Sequence, residues 1–133
     1  MSDAAGGRGA PAGRPAAQVR ARIVFLIRVP AERAHDFLTA YEKIRYEVAE
    51  GVPGHLVDQV CQSPADPEQW LITSEWESLG TFEAWERSPG HRELVRPMRE
   101  CMTEARSLRF AIRLQTTRRQ AGRAPAQGPA GLT

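Results

Sequence analysis

The side chains best suited to chemistry gather near Trp76. Ile72, Ser74 and Trp76 are two residues apart, so in a strand their side chains lie on one face. An indole can stack on a flat aromatic ligand and donate one hydrogen bond, and a serine hydroxyl both donates and accepts. This spacing is typical of a strand that presents an aromatic and a polar group to a pocket. The alternative is that Trp76 is an ordinary core aromatic.

Two of the three histidines are candidate proton acceptors, because a neutral imidazole takes up a proton near physiological pH. His55 opens a predicted strand, and His91 lies near the start of a predicted helix, where its cation is disfavoured. His35 falls on the polar side of another helix. Tyr41 faces inward on that helix and can donate to a ligand. Gln59 offers an amide from the second strand if its face is inward; for each of these residues packing or solvent exposure is the alternative.

Composition argues against metal, nucleic-acid and membrane functions. Cys61 and Cys101 are 40 residues apart, with no C-x-x-C pair and no cysteine–histidine cluster at zinc spacing. The formal charge is +2, but residues 21–115 hold 12 basic and 15 acidic side chains, so the basic excess lies in the ends. No run approaches ~18 consecutive apolar residues, and the first twenty lack the apolar segment of a secretory signal. We therefore expect a cytoplasmic protein without metal, nucleic-acid or membrane partners.

Hydrophobic periodicity predicts one folded domain at residues 21–115 between disordered tails at 1–20 and 116–133, which are rich in Ala, Gly, Pro and Arg. The predicted elements are a strand at 22–29, a helix at 31–50, strands at 55–62 and 69–76, a short helix at 79–86, a helix from 88 to about 105 and a strand at 107–115. The order β-α-β-β-α-β predicts an α+β, ferredoxin-like split βαβ fold with an antiparallel sheet and helices on one face.

Apolar residues also occupy the strand positions that face away from the helices. Val24, Leu26, Leu71 and Ala111 are expected there. When both faces of a sheet are apolar, the face without helices must also pack against protein. A two-fold symmetric dimer is the commonest assembly by which identical chains achieve this. The sequence therefore predicts a homodimer that packs sheet against sheet.

The region that follows the third strand resembles a known family. Ile72 to Trp85, with Trp76-Glu77-Ser78 at the strand end, and the segment Ser88-Pro89-Gly90-His91-Arg92-Glu93-Leu94 resemble the antibiotic biosynthesis monooxygenase (ABM) signature. The resemblance covers about residues 21–115 and implies a dimeric α+β barrel. Residues 58–76 are more narrowly similar to small ABM-domain proteins of bacterial aromatic polyketide pathways.

The resemblance implies an oxygenase without metal, flavin or haem that uses dioxygen as co-substrate and converts an anthrone or naphthol to a quinone. The resemblance also implies roles for three further positions. Arg96 falls near an arginine on the corresponding helix of the family. Ile72 stands where quinone-forming members carry Asn, and Phe82 stands where other members carry a pocket Tyr. The predicted catalytic residues are Trp76, Arg96 and His91. The predicted substrate-binding residues are Tyr41, Gln59, Ile72, Ser74 and Phe82.

Two functions follow from these residues. The first is an oxygenase that tailors a polycyclic aromatic polyketide, with no cofactor. The second is a non-redox accessory protein that holds the polyketide intermediate and assists its cyclisation or a partner oxygenase; the apolar Ile72 and Phe82 favour it. A polyketide cyclase or oxygenase is then a candidate partner beside the second copy of the chain. A sensing or purely structural role has no specific support in the sequence.

Overall fold

Four strands and four helical segments follow one another within residues 19–119, the part of the chain that this computed structural model describes. They are β1 (Ala21–Arg28), a 3-10 turn (Ala31–Arg33), α1 (Ala34–Ala49), β2 (His55–Gln62), β3 (Gln69–Trp76), α2 (Leu79–Glu86), α3 (His91–Arg99) and β4 (Glu104–Ala111). The tails predicted at 1–20 and 116–133 lie outside the described residues, except for 19–20 and 116–119.

The four strands form one antiparallel sheet in the order β2-β3-β1-β4. This order and the sequence of elements confirm the predicted ferredoxin-like α+β fold. β1 is central because it is apolar on both faces: Ile23 and Ile27 are buried beneath the helices, while Val24 and Leu26 are half-buried on the other side. We call that second side the free face of the sheet.

The helices bury one stripe each against the sheet. In α1 the buried residues recur at helical spacing, and they are Phe37, Ala40, Ile44 and Val48. They meet Val95 and Met98 of α3, Ile27 of β1 and Trp70 of β3 in the main core. A smaller cluster of Ile23, Trp76 and Phe82 lies at the α2 end of the sheet.

The predicted bounds of the last helix and strand are wrong. The helix was expected from 88 to about 105, but α3 begins at His91, after Gly90 with a φ of +93°, and ends at Arg99. β4 begins at Glu104 rather than 107 and ends at Ala111 rather than 115. The cause is pairing with β1: Arg28 lies opposite Glu104, and the Thr103 N–H donates to the Arg28 carbonyl at 2.9 Å. The length of β1 therefore sets the length of its partner.

The face assigned to Ala111 is also wrong. Ala111 lies opposite Ala21 and so belongs to the helix-covered face, while Leu108 lies opposite Val24. Leu108 and Phe110 therefore join Val24 and Leu26 on the free face, which is more apolar than the sequence indicated.

Candidate functional site

A cavity lies between the helix-covered face of the sheet and all three helices. Its volume, counted as space open to the centre of a water molecule, is ≈ 120 Å³. By that measure one water needs ~10–15 Å³, so several waters or a small organic group fit within a single chain. Its lining is mainly apolar and also includes the ionisable side chains of Tyr41, His55, Asp58, Glu86, His91 and Arg99.

Three aromatic rings form one wall of the cavity. The Trp76 ring centre is 5.3 Å from that of Phe82, edge to face, and 5.6 Å from that of Trp85, with the planes 30° apart. Trp76 is only 1% exposed, and its indole N–H donates to Ser74 Oγ at 2.9 Å. Because that N–H already has a partner, Trp76 offers a ligand its ring rather than its hydrogen-bond donor.

Strand alternation and a helix cap build this wall. Ile72, Ser74 and Trp76 share the helix-covered face of β3 because alternate side chains point the same way. Ser78 then caps α2: its hydroxyl accepts from the Thr81 N–H at 3.1 Å, and the Thr81 hydroxyl accepts from the Ser78 N–H at 3.3 Å. The cap fixes where α2 begins, and with it the position of the next residue, Phe82, over Trp76.

A polar cluster of Tyr41 from the middle of α1 and His55 and Asp58 from β2 lines the cavity. The Tyr41 hydroxyl donates to Asp58 Oδ2, and His55 Nε2 is 3.6 Å from Asp58 Oδ1. His55 Nε2 is buried, and no hydrogen-bond partner for it lies within residues 19–119. Burial and the bond to Asp58 raise the pKa of Tyr41, so its hydroxyl stays a donor. The edge of the His55 ring packs on Trp76, with centres 5.1 Å apart.

A β-bulge explains why Asp58 was not predicted. Residues three apart lie on opposite faces of a regular strand, so His55 and Asp58 should point apart. The register shifts between His55 and Val57, which places His55 opposite Trp76 and Asp58 opposite Ser74. Both side chains therefore face inward, and bulges commonly re-aim side chains in this way beside functional sites. The sequence carries no clear signal of this bulge.

His91 lines the cavity at the α2–α3 end. Its ring packs edge to face on Trp85, with centres 4.4 Å apart. Burial lowers the pKa of His91; nearby Glu86 opposes this shift and Arg99 reinforces it. Both of those charged side chains also line the cavity, and Arg99 places its guanidinium carbon 5.5 Å from the centre of the Phe25 ring.

Comparison with known proteins identifies the family. Residues 20–97 match the model of the antibiotic biosynthesis monooxygenase family. The chain belongs to the ABM family. It is 45% identical over 97 residues to a 42.8 kDa protein in the whiE locus of Streptomyces coelicolor, which covers 73% of this chain and 24% of that protein. It is 43% identical over 97 residues to polyketide synthase CurD of Streptomyces cyaneus, covering 73% of this chain and 26% of CurD. The chain thus spans about a quarter of the length of these curated relatives.

Solved structures agree with the fold. SnoaB, a cofactor-independent oxygenase from Streptomyces nogalater, aligns with a TM-score of 0.64 at 15% identity over 73% of this chain and 96% of SnoaB. A conserved protein from Methanosarcina mazei Go1 aligns with the same TM-score at 21% identity, over 71% and 94% of the two chains. At these identities the likeness shows a shared ABM fold.

Six of the eight predicted site residues line the cavity of this ABM domain. They are Tyr41, Ile72, Ser74, Trp76, Phe82 and His91. The other two lie elsewhere. Gln59 pairs with Thr73 and is exposed on the free face, because it follows the inward-facing Asp58 by one residue.

Arg96 points away from the cavity. Its side chain is 51% exposed and donates to Glu93 at 2.7 Å on the outer surface of α3. Arg99 lines the cavity instead, because it lies one turn after the buried Val95 and next to the buried Met98. Sequence reasoning missed Arg99, since the phase of a nine-residue helix depends on where it begins.

Within residues 19–119 no group of three or more His, Cys, Asp or Glu side chains is arranged to hold a metal ion. None of the helices in that range combines the length and the apolar character that a bilayer span requires.

Proposed function

We propose that this ABM domain is a cofactor-independent oxygenase that converts a phenolic or anthrone-type aromatic polyketide to a quinone or hydroxylated product. The observation that carries the proposal is the cavity itself: Trp76, Phe82 and Trp85 form an aromatic wall, and ionisable side chains line the same space. One relative supports the substrate class by name, since CurD is a polyketide synthase.

The chemistry needs little from the protein beyond binding and proton transfer. In an anthrone the ring methylene gives four electrons to dioxygen; one oxygen atom becomes the new carbonyl and the other leaves as water. Loss of a proton first yields an electron-rich anion that can pass an electron to dioxygen. A proton acceptor in the cavity favours formation of that anion, and Arg99, a cation that lines the cavity, stabilises its charge.

A second candidate is a non-redox accessory protein that holds the polyketide intermediate. A specific observation favours it: the Trp76 N–H is bonded to Ser74, and Ile72 and Phe82 are apolar where quinone-forming members carry Asn and Tyr. Such a site binds and orients a ring system with few donors to a developing oxyanion. In that role a polyketide cyclase or oxygenase would be the partner. In either role we propose a cytoplasmic homodimer.

Oxygen uptake separates the two candidates. Purified, metal-stripped protein is mixed with a simple anthrone under air, and oxygen consumption and quinone absorbance are followed. We expect saturable uptake that falls about tenfold or more in Trp76→Phe, equivalent to ~1.4 kcal/mol of transition-state stabilisation. The matched control is Trp70→Phe, because Trp70 is also buried in β3 but packs on Phe37 outside the cavity.

Two other outcomes of the oxygen-uptake experiment would contradict this expectation in different ways. Anthrone that binds without uptake above the uncatalysed rate would favour the accessory role. An equal loss in Trp76→Phe and Trp70→Phe would show that Trp76 acts through the core rather than through the cavity.

A further inference from the structure

The cluster of Tyr41, His55 and Asp58 separates the cavity from a second depression. This outer groove lies between the end of α1 and the start of β2 and has a volume of ≈ 450 Å³ by the same measure. The three side chains of the cluster line both spaces, and Arg45 adds a charge on the groove side. The cluster is therefore accessible from both the cavity and the groove.

The geometry of the cluster leaves a place for one proton. Tyr41 donates to Asp58 Oδ2 and so holds one carboxylate oxygen. The other oxygen, Oδ1, faces His55 Nε2 at 3.6 Å, and that nitrogen has no hydrogen-bond partner within the described chain. Because two acceptors that face each other are unfavourable, the neutral imidazole carries its hydrogen on Nε2, toward Asp58, and leaves Nδ1 as the proton acceptor. A proton on Nδ1 gives an imidazolium that the Asp58 carboxylate stabilises.

The other histidine of the cavity is less suited to hold a proton. His91 packs on Trp85, and its contacts with Glu86 and Arg99 act in opposite directions. Burial there disfavours the imidazolium. His55 differs because a carboxylate, itself fixed by Tyr41, stands directly beside its Nε2.

We propose that the Asp58–His55 pair, held in place by Tyr41, is the acceptor for the phenolic proton of the bound aromatic ligand. In this step the phenol O–H bond breaks and its electron pair stays on the oxygen as a phenolate. The proton moves to the other ring nitrogen, His55 Nδ1, and the imidazolium that forms keeps its Nε2–H toward the Asp58 carboxylate. No atom is oxidised or reduced. The proposal rests on the proposed function for its ligand class, but it does not require oxygen chemistry.

The test is the ionisation of a bound dye, 1,2-dihydroxyanthraquinone. It is already a quinone, so it is not turned over, and its phenolate absorbs at longer wavelength than the phenol. Its binding is measured by equilibrium dialysis and its ionisation by absorbance across pH. We expect the wild-type protein to lower the apparent pKa of the bound phenol by about one unit or more. His55→Gln and Asp58→Asn should return that pKa toward the value of the free dye.

Matched controls are available on α1 and across the cavity. His35→Gln and Asp36→Asn make the same replacements at exposed positions and should keep the shift. His91→Gln should keep it too. Circular dichroism confirms that each variant folds. If Asp58→Asn does not fold, Tyr41→Phe replaces it. That variant removes the hydroxyl that donates to Asp58, leaves His55 and Asp58 in place, and should reduce the pKa shift of the bound dye.

The outcomes separate this inference from the proposed function. A bound dye with its free pKa, a shift that survives both cluster substitutions, or a shift lost only in His91→Gln would overturn the inference. A wild-type protein that does not bind the dye would overturn the ligand class and the inference together. Absence of oxygen uptake beside an intact shift would overturn the oxygenase alone.

Discussion

Ser74 and Trp76 form a buried pair whose hydrogen bond can be tested for its energy. Ser74 is 7% exposed and is the partner of the Trp76 indole N–H. In Ser74→Ala the indole would keep a buried, unpaired donor, so we expect a loss of ~1–3 kcal/mol in the free energy of unfolding. Urea denaturation measures it.

A double-mutant cycle isolates the hydrogen bond. In the Trp76→Phe background the donor is gone, so Ser74→Ala should cost much less than in the wild-type chain. Equal costs in both backgrounds would show that Ser74 stabilises the fold through its size and not through this bond.

The lowered pKa of His91 predicts that the stability of the folded chain depends on pH. Burial lowers its pKa below the ordinary 6.5, so in mildly acidic solution the unfolded chain binds the proton more readily than the folded chain. The contribution is therefore fully present above about pH 6.5 and is lost as pH falls through that value toward the folded pKa. Urea unfolding from pH 7.5 to 5 should show a smaller loss of stability in His91→Gln than in wild type. Identical profiles, or an NMR titration of His91 at or above 6.5, would contradict this.

The sequence allowed some residues of the cavity lining to be predicted and not others. Ile72, Ser74 and Trp76 were predictable because alternation in a strand fixes their common face. Asp58 was not, because a single bulged residue reverses that alternation in β2. Arg99 was missed for a similar reason, since the phase of α3 is set by the turn before it.

The connection into β2 depends on Gly54, which carries a backbone conformation that other residues rarely adopt. Its φ is +86°, and a Cβ built there would lie 2.4 Å from the Thr81 side chain that caps α2. In Gly54→Ala both effects act, so we expect a loss of ~3 kcal/mol or more in the free energy of unfolding. Thermal and urea denaturation measure it.

Gly90 provides the matched control for that substitution. Its φ is +93°, but nothing lies within 4 Å of a Cβ at that position. Gly90→Ala should therefore cost only ~1–2 kcal/mol, the backbone part alone. A similar loss in the two variants would show that the contact between Gly54 and Thr81 does not matter to the fold.

The order of the helices and strands was easier to predict from the sequence than the residues at which they begin and end. Periodicity within each segment is a local property, and it identified every strand and every α-helix in the correct order. The boundary between α3 and β4 is not local. Residues up to about 105 have helical spacing, but Glu104 and Ala105 pair with β1 instead, because the central strand has an edge to fill. Tertiary pairing therefore overrides local preference at this boundary.

The molecule as a whole leaves one sheet face uncovered. Val24, Leu26, Leu71 and Leu108 are half-buried there, and Phe110 is 53% exposed. Contiguous exposed apolar surface of this kind marks interaction sites. Two arginines of the same face are already paired within the chain, Arg22 with Glu75 and Arg28 with Asp66 of the β2–β3 turn. These features support the proposed homodimer.

Leu26→Lys tests that arrangement. Leu26 lies on the central strand in the middle of the free face, opposite Leu71 and Arg106. A stable interface buries ~1,200–2,000 Å² in total, and a lysine at this central position would place an unpaired charge inside it. We expect light scattering at micromolar concentration to show a dimer for the wild-type chain and a monomer for Leu26→Lys with an unchanged circular dichroism spectrum. Leu38→Lys is the matched control, because Leu38 is 42% exposed on the helical side, and it should remain dimeric. A monomeric wild-type protein, or dissociation by both substitutions alike, would show that the free face is not the interface.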